Sequence, residues 1–250
     1  MHPLLRGSWI PKHLFAATIL VTLITLGFWQ LDRLEQRRAQ NAARLAVLDQ
    51  NPITVTPASD PATLFGRRVR VTGTFRNAES VILRARKSDS GVDGVHLLTP
   101  LQLSGSDQAV LIDRGWLLAE QAAPERRGAF AIDREITLEG VALPPQARPD
   151  ALLAASDLPL PGETRIDAWV RVDVLRIQEQ VAAPLLPFFI EQLPSGSGSL
   201  PRPPDPRLLD EGPHLSYALQ WFAFAGMLVV VYTALMRQEL RKYRAPAPQS

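Results

Sequence analysis

The chain has 250 residues, 46% hydrophobic and 21% charged, with a formal net charge of +2 and no cysteine. That composition belongs to a folded protein, and without cysteine there is no disulfide framework, CxxC redox pair or thiolate metal site, which leaves four histidines as the strong nitrogen ligands. The small net charge and the lack of a long basic tract give no expectation of nucleic-acid binding.

Residues 1–13 form a short tail carrying Arg6 and Lys12, and Leu14 to Leu31 then runs for 18 residues without a charge. About 20 helical residues cross about 30 Å of hydrocarbon, so 14–31 is expected to be a transmembrane helix. Its end, "GFWQLDRLEQRR", has no small-x-small cleavage site and turns abruptly charged, which reads as an uncleaved anchor rather than a secretory signal. Thr18, Thr22, Thr25 and Trp29 share a narrow face, a spacing that suits helix contact in lipid. Residues 32–49, without Pro or Gly, continue as a juxtamembrane helix that "DQNP" terminates at Pro52.

Over 50–193 the period changes to two. In "RRVRVTGTFR", Val69, Val71, Gly73 and Phe75 alternate with polar residues, and "SVILRAR", "AVLIDRGWLL", "REITLEGVAL", "AWVRVDV" and "LLPFFIEQL" continue in strand style between clusters such as "KSDSGVDG". A short helix is expected at "LRIQEQVA". The fold expected is a mainly β extramembrane domain, an antiparallel sheet or partly closed barrel with one or two short helices, flanked by two transmembrane helices.

Residues 194–213 are a Pro-, Gly- and Ser-rich linker, residues 214–236 a second transmembrane helix, and 237–250 a tail with Arg237, Arg241, Lys242 and Arg244. The basic tail against the mixed charge before the second span places the C-terminus, and hence with two spans the N-terminus, in the cytoplasm, and the β-rich domain in the periplasm. Arg33, Arg37, Arg38 and Arg44 after the first span outnumber Arg6 and Lys12 before it and point the other way.

Chemistry in the domain is sparse. No GxSxG, GxxxxGK[ST] or GxGxxG occurs, and a hydrolase would need an acid-base pair built around His96. His96 in "GVHLLTPL" suits a local hydrogen bond at a strand. Seven basic residues lie between Arg67 and Lys87, and two strands there could present Arg70, Arg84 and Arg86 together, as a solvated face or an anion patch. In "DRGW", Arg114 and Trp116 are two apart on a strand, where a guanidinium can stack on indole, and Gly115 suits a bulge or close backbone approach. The second span opens "HLSYALQWFAFA", in which His214, Tyr217, Trp221 and Phe224 fall within about 80° of one helix face. On residues alone this face also suits an interfacial aromatic belt with a headgroup-level histidine.

"GFWQLDR", "GVHLLTPL", "VLIDRGWL" and "HLSYALQWFAFA", in this order between two spans, resemble the surfeit locus protein 1 family of cytochrome c oxidase assembly factors. The resemblance covers nearly the whole chain and implies a bacterial, non-enzymatic membrane protein that assists maturation of the haem-copper oxidase catalytic subunit. It further implies haem a as a transient cofactor, with His214 as iron ligand and Tyr217, Trp221 and Phe224 on the porphyrin, and haem a synthase as a further partner besides the oxidase subunit and membrane lipid. Trp29, Gln30, Arg33, Arg114, Gly115 and Trp116 carry the remaining motif positions, as partner-facing or structural residues. Pro213 stands where the family commonly has Asn, and "LEQRRAQ" lacks the family's tryptophan-lysine pair. The alternatives are a structural chaperone of the oxidase subunit that never touches haem, and a membrane-bound hydrolase or transferase centred on His96.

Overall fold

The computed structural model describes residues 9–146, 157, 164–196 and 200–244, with side chains to 242. Arg6, the ends of both tails and linker residues 197–199 lie outside the described residues, as does the Arg244 side chain. The chain divides into two compact units, Arg44–Leu208 and the pair Met1–Ala43 with Leu209–Ser250.

α1 (Ile10–Leu48) runs unbroken from the first apolar segment through the juxtamembrane segment. The β-rich unit follows, with β1 (Ile53–Thr54), α2 (Pro61–Leu64), β2 (Arg68–Phe75), β3 (Val81–Lys87), β4 (Asp93–Leu103), β5 (Ala109–Leu117), β6 (Ile136–Leu143), β7 (Ala168–Trp169), α3 (Val174–Gln178) and β8 (Leu185–Gln192). Strands β2, β6, β8, β5 and β4 hydrogen-bond in that order, and β2 pairs again with β4 through Gly73, Thr74 and Phe75, closing a five-stranded barrel. Closure leaves these five strands without a free edge. β5 and β8 run parallel, while the other pairs around the barrel are antiparallel.

The barrel core follows from strand alternation. Val69, Val71 and Phe75 of β2 point inward to meet Leu101, Val110, Ile112, Phe188 and Ile190. A second apolar layer, with Val81, Leu83, Leu98, Leu111, Trp169, Ile177 and Phe189, packs β3, β7 and α3 onto the outside of the wall. β5 is therefore buried along its whole length, whereas a half-buried strand was expected there. The expected strand "AWVRVDV" is reduced to two residues, because only Ala168 and Trp169 find partners, on β3. β4 lies between β2 and β3, so the basic residues of those two strands do not form one patch. Arg68 and Arg70 both grip Glu139 on β6, at 2.5 and 2.8 Å, and Arg76 grips Glu79 at 2.5 Å.

The other unit is a helix pair, completed by α4 (His214–Arg244), and both helices are long and apolar enough to cross a membrane. The two pack where Phe222 lies on Gly27: a Cβ at Gly27 would stand 2.5 Å from the Phe222 ring, and Phe28 meets the same ring edge-on at 5.4 Å between centroids. At the other end of the pair, the Tyr232 hydroxyl hydrogen-bonds His13 Nδ1 at 2.5 Å. Thr18, Thr22 and Thr25 do not make the helix contact their spacing suggested. They are exposed, and Thr22 and Thr25 donate their hydroxyls to the carbonyls of Thr18 and Val21 in their own helix, which satisfies them without a neighbour.

Candidate functional site

In the helix pair the polar residues converge where α4 begins. Gly212 N donates to Asp210 Oδ1 at 2.8 Å, which shapes the turn before the helix, and Tyr217 N donates to the Pro213 carbonyl at 3.1 Å, the first helical hydrogen bond, with His214 at the first helical position. His214 is half-buried, with Nδ1 2.9 Å from Gln30 Oε1 of α1. An amide oxygen only accepts, so Nδ1 carries the proton and Nε2 presents its lone pair. A Cβ at Gly212 would stand 3.4 Å from Nε2, and glycine keeps that flank clear. The donor set is compatible with a haem iron: an imidazole oriented by a hydrogen bond at one ring nitrogen, with the other nitrogen turned away from that bond.

The aromatic residues on the predicted face divide. Trp221 is half-buried and meets Phe224 edge-on at 6.1 Å, whereas Tyr217 and Phe224 are 46% and 49% exposed and project from the pair. His214, Phe222 and Tyr232 of α4 contact α1, and Ala218 and Ala225 are buried on the same side. On α1, Trp29 is 47% exposed and carries the Arg33 guanidinium over its ring at 5.6 Å, while Arg33 also donates to Gln36 at 3.0 Å. Arg38 forms a two-point ion pair with Glu211 at 3.0 and 2.8 Å, and Arg37 and Asn41 donate to the Asp210 carbonyl. The hydrogen bond and charge of Glu211 raise the Arg38 pKa, and those of Arg38 hold Glu211 below the usual carboxylate range.

In the barrel, register brings two of the sequence motifs together. His96 on β4 lies opposite Trp116 on β5, and its Nδ1 is 2.8 Å from Asp113 Oδ2. Both are buried. Arg114 does not stack on Trp116; its guanidinium lies over the Phe75 ring at 4.5 Å and donates to the Phe130 carbonyl at 2.7 Å. The reason is Gly115, whose φ of +107° breaks the strand alternation that would have put its two neighbours on one face. Burial lowers the Arg114 pKa to about 10. The close approach expected at Gly115 is present: a Cβ there would stand 2.2 Å from the Arg202 carbonyl oxygen. Trp116 and Arg202 exchange both backbone hydrogen bonds, at 2.7 and 2.9 Å, which seats the linker on β5.

The SURF1 family model matches residues 17–226, most of the chain. The chain belongs to the SURF1 family. Among its relatives, a SURF1-like protein of Rickettsia felis is 28% identical over 232 residues, 88% of this chain and 95% of that protein. A SURF1-like protein of Monosiga brevicollis is 25% identical over 260 residues, 94% and 93% of the two chains. The cytochrome oxidase assembly protein SHY1 of Saccharomyces cerevisiae is 32% identical over 139 residues, 53% of this chain and 36% of that protein.

In this SURF1 family member the motif "VLIDRGWL" supplied a residue whose partner the sequence did not disclose. Asp113 joins His96, and Glu191 of β8 stands in register with Asp113. No sequence signal marks Glu191, because a parallel β5–β8 pairing joins segments more than 70 residues apart. The acid-base pair that a hydrolase would need around His96 is present, but Ser88 beside it bonds Ser90 Oγ at 2.9 Å and the Val92 amide. The cavity His96 shares with Ser88, Trp116 and Arg202 is about 10 Å³, room for one water and no substrate.

Proposed function

We propose that this protein is a non-catalytic assembly factor for a haem-copper cytochrome oxidase, and that it holds haem a at the His214 end of α4 while the oxidase catalytic subunit matures. The single observation that carries the haem part is the His214–Gln30 hydrogen bond, which joins two of the family-like motifs across the helix pair and leaves Nε2 as the free nitrogen. The name of the yeast relative, a cytochrome oxidase assembly protein, supports the oxidase role. Haem a, when bound, would supply an iron that an imidazole can ligate and carboxylates that a cation can pair with. His214 would hold the iron, Gln30 would keep the Nδ1 proton in place, Trp221 would offer an apolar flank, and Arg33 would be the guanidinium for a carboxylate, since Arg37 and Arg38 are committed to Asp210 and Glu211. The exposed rings of Tyr217 and Phe224 suit packing against the oxidase subunit. Haem a synthase is the partner that would supply the haem. Copurification tests the role: detergent extracts should yield the oxidase catalytic subunit with this protein, and repeated recovery without it would refute the assignment.

The orientation we propose is that of a bacterial cytoplasmic membrane protein with both termini in the cytoplasm and the barrel in the periplasm. The arginines that follow the first span argue against this only as isolated charges; two of them are held by the backbone of Asp210 and the carboxylate of Glu211, while Arg237 and Arg241 have no carboxylate partner among the described residues. The positive-inside contrast at the second span supports this topology. Alkaline phosphatase fused after residue 120 is expected to be active in a bacterial host and a fusion at residue 250 inactive, and the reverse pattern would invert the topology.

A further inference from the structure

The buried polar cluster of the barrel wall sits one hydrogen bond from the seat of the linker. Asp113 gives one carboxylate oxygen to His96 and the other to the Gly115 amide, 2.9 Å away. Gly115 is the residue on whose backbone Arg202 lies, and Trp116 beside it makes both hydrogen bonds to Arg202. Asp113 thus shapes the turn that holds the linker. In sequence, that linker leads into α4, at whose first position stands His214.

Glu191 lies opposite Asp113 in the β5–β8 register. Burial above all, and then the Asp113 charge, raise its pKa, against weaker opposite pulls from His96 on β4, Arg44 at the end of α1 and Arg86 on β3. Lys87, Asp89 and Arg202 line the small cavity at His96 and complete the charged surroundings.

We propose that His96, Asp113 and Glu191 form a proton-linked latch on the linker: with Glu191 protonated, Asp113 stays on His96 and Gly115 and the Arg202 segment is seated, and with Glu191 ionised, a second negative charge beside Asp113 loosens the seat. The sign follows from charge repulsion: an ionised Glu191 beside the Asp113 carboxylate disfavours the seated arrangement. The seat is therefore held while Glu191 keeps its proton and is loosened as pH rises through its titration, which burial and the Asp113 charge raise above the ordinary carboxylate range. The latch is independent of haem.

Hydrogen exchange of the full chain in detergent reads it, because the Arg202 amide is bonded to Trp116 only while the linker is seated. After correction for intrinsic exchange, protection of the Arg202 amide is expected to fall about tenfold or more between about pH 5 and about pH 8, while amides of the β2–β6 pairing stay level. Glu191→Gln, which cannot ionise, should flatten the profile at its protected end. A wild-type profile without a fall, or a fall unchanged in Glu191→Gln, overturns the latch. Should Glu191→Gln disturb the β2–β6 amides, the wild-type series still decides: a fall confined to Gly115 and Arg202 upholds the latch, and a flat or uniform profile refutes it.

Discussion

Cells carrying His214→Ala are expected to lose oxidase activity about tenfold or more while the protein accumulates at its normal level. The side chain is only half-buried and stands at the very start of the helix, so its removal costs little packing. What it removes is the one imidazole that the helix pair orients through Gln30. Gln30→Ala should act in the same direction but less, because it frees the tautomer without deleting the ligand. Gln30→Glu should recover most of the activity, since a carboxylate oxygen accepts from Nδ1 as the amide oxygen does. Membrane oxidase activity alongside immunoblots of the protein checks all three, and a Gln30→Glu variant as poor as Gln30→Ala would detach the hydrogen bond from function.

Gly27→Leu should be comparably damaging for a different reason. Even the first carbon of the new side chain would stand 2.5 Å from the Phe222 ring, so the helices must part or the ring must leave. Overpacking of this kind costs about 1–3 kcal/mol, and it falls three residues before Gln30, where a small separation breaks the 2.9 Å bond to His214. Oxidase activity should fall about tenfold and return in Gly27→Leu with Phe222→Ala, which reopens the space. Gly226→Leu is the control: a Cβ there meets nothing within 4 Å, and activity should stay near wild type. Loss of activity that Phe222→Ala does not repair would place the fault outside the helix contact.

Those two helices also show how far the sequence could be read. Uncharged length disclosed both apolar helices, and the helical period placed His214, Tyr217, Trp221 and Phe224 on one arc of α4. Which side of α4 meets α1 was not legible, because apolar residues surround both helices and the choice rests on fit, a glycine at 27 under a phenylalanine at 222. Tyr217 and Phe224 therefore point away from the contact that His214 makes. In the barrel, β2 was legible because one face meets the core and the other meets Arg- and Glu-rich surface, which writes the period into "RVRVTGTF". β5 has core on both sides and shows no alternation, and its parallel neighbour β8 is joined to it by register alone. Hence Asp113 could be seen as part of a motif, but its place between His96 and Glu191 could not.

Ligation of haem iron by His214 is tested most directly by the absorption spectrum of the purified protein. Full-length protein co-expressed with the enzymes of haem a synthesis and purified in detergent is expected to carry a Soret band that His214→Ala abolishes or shifts, with Gln30→Ala intermediate. A wild-type protein free of haem, or a His214→Ala spectrum identical to wild type, would contradict it and leave an assembly factor that acts on the oxidase subunit through its helices alone.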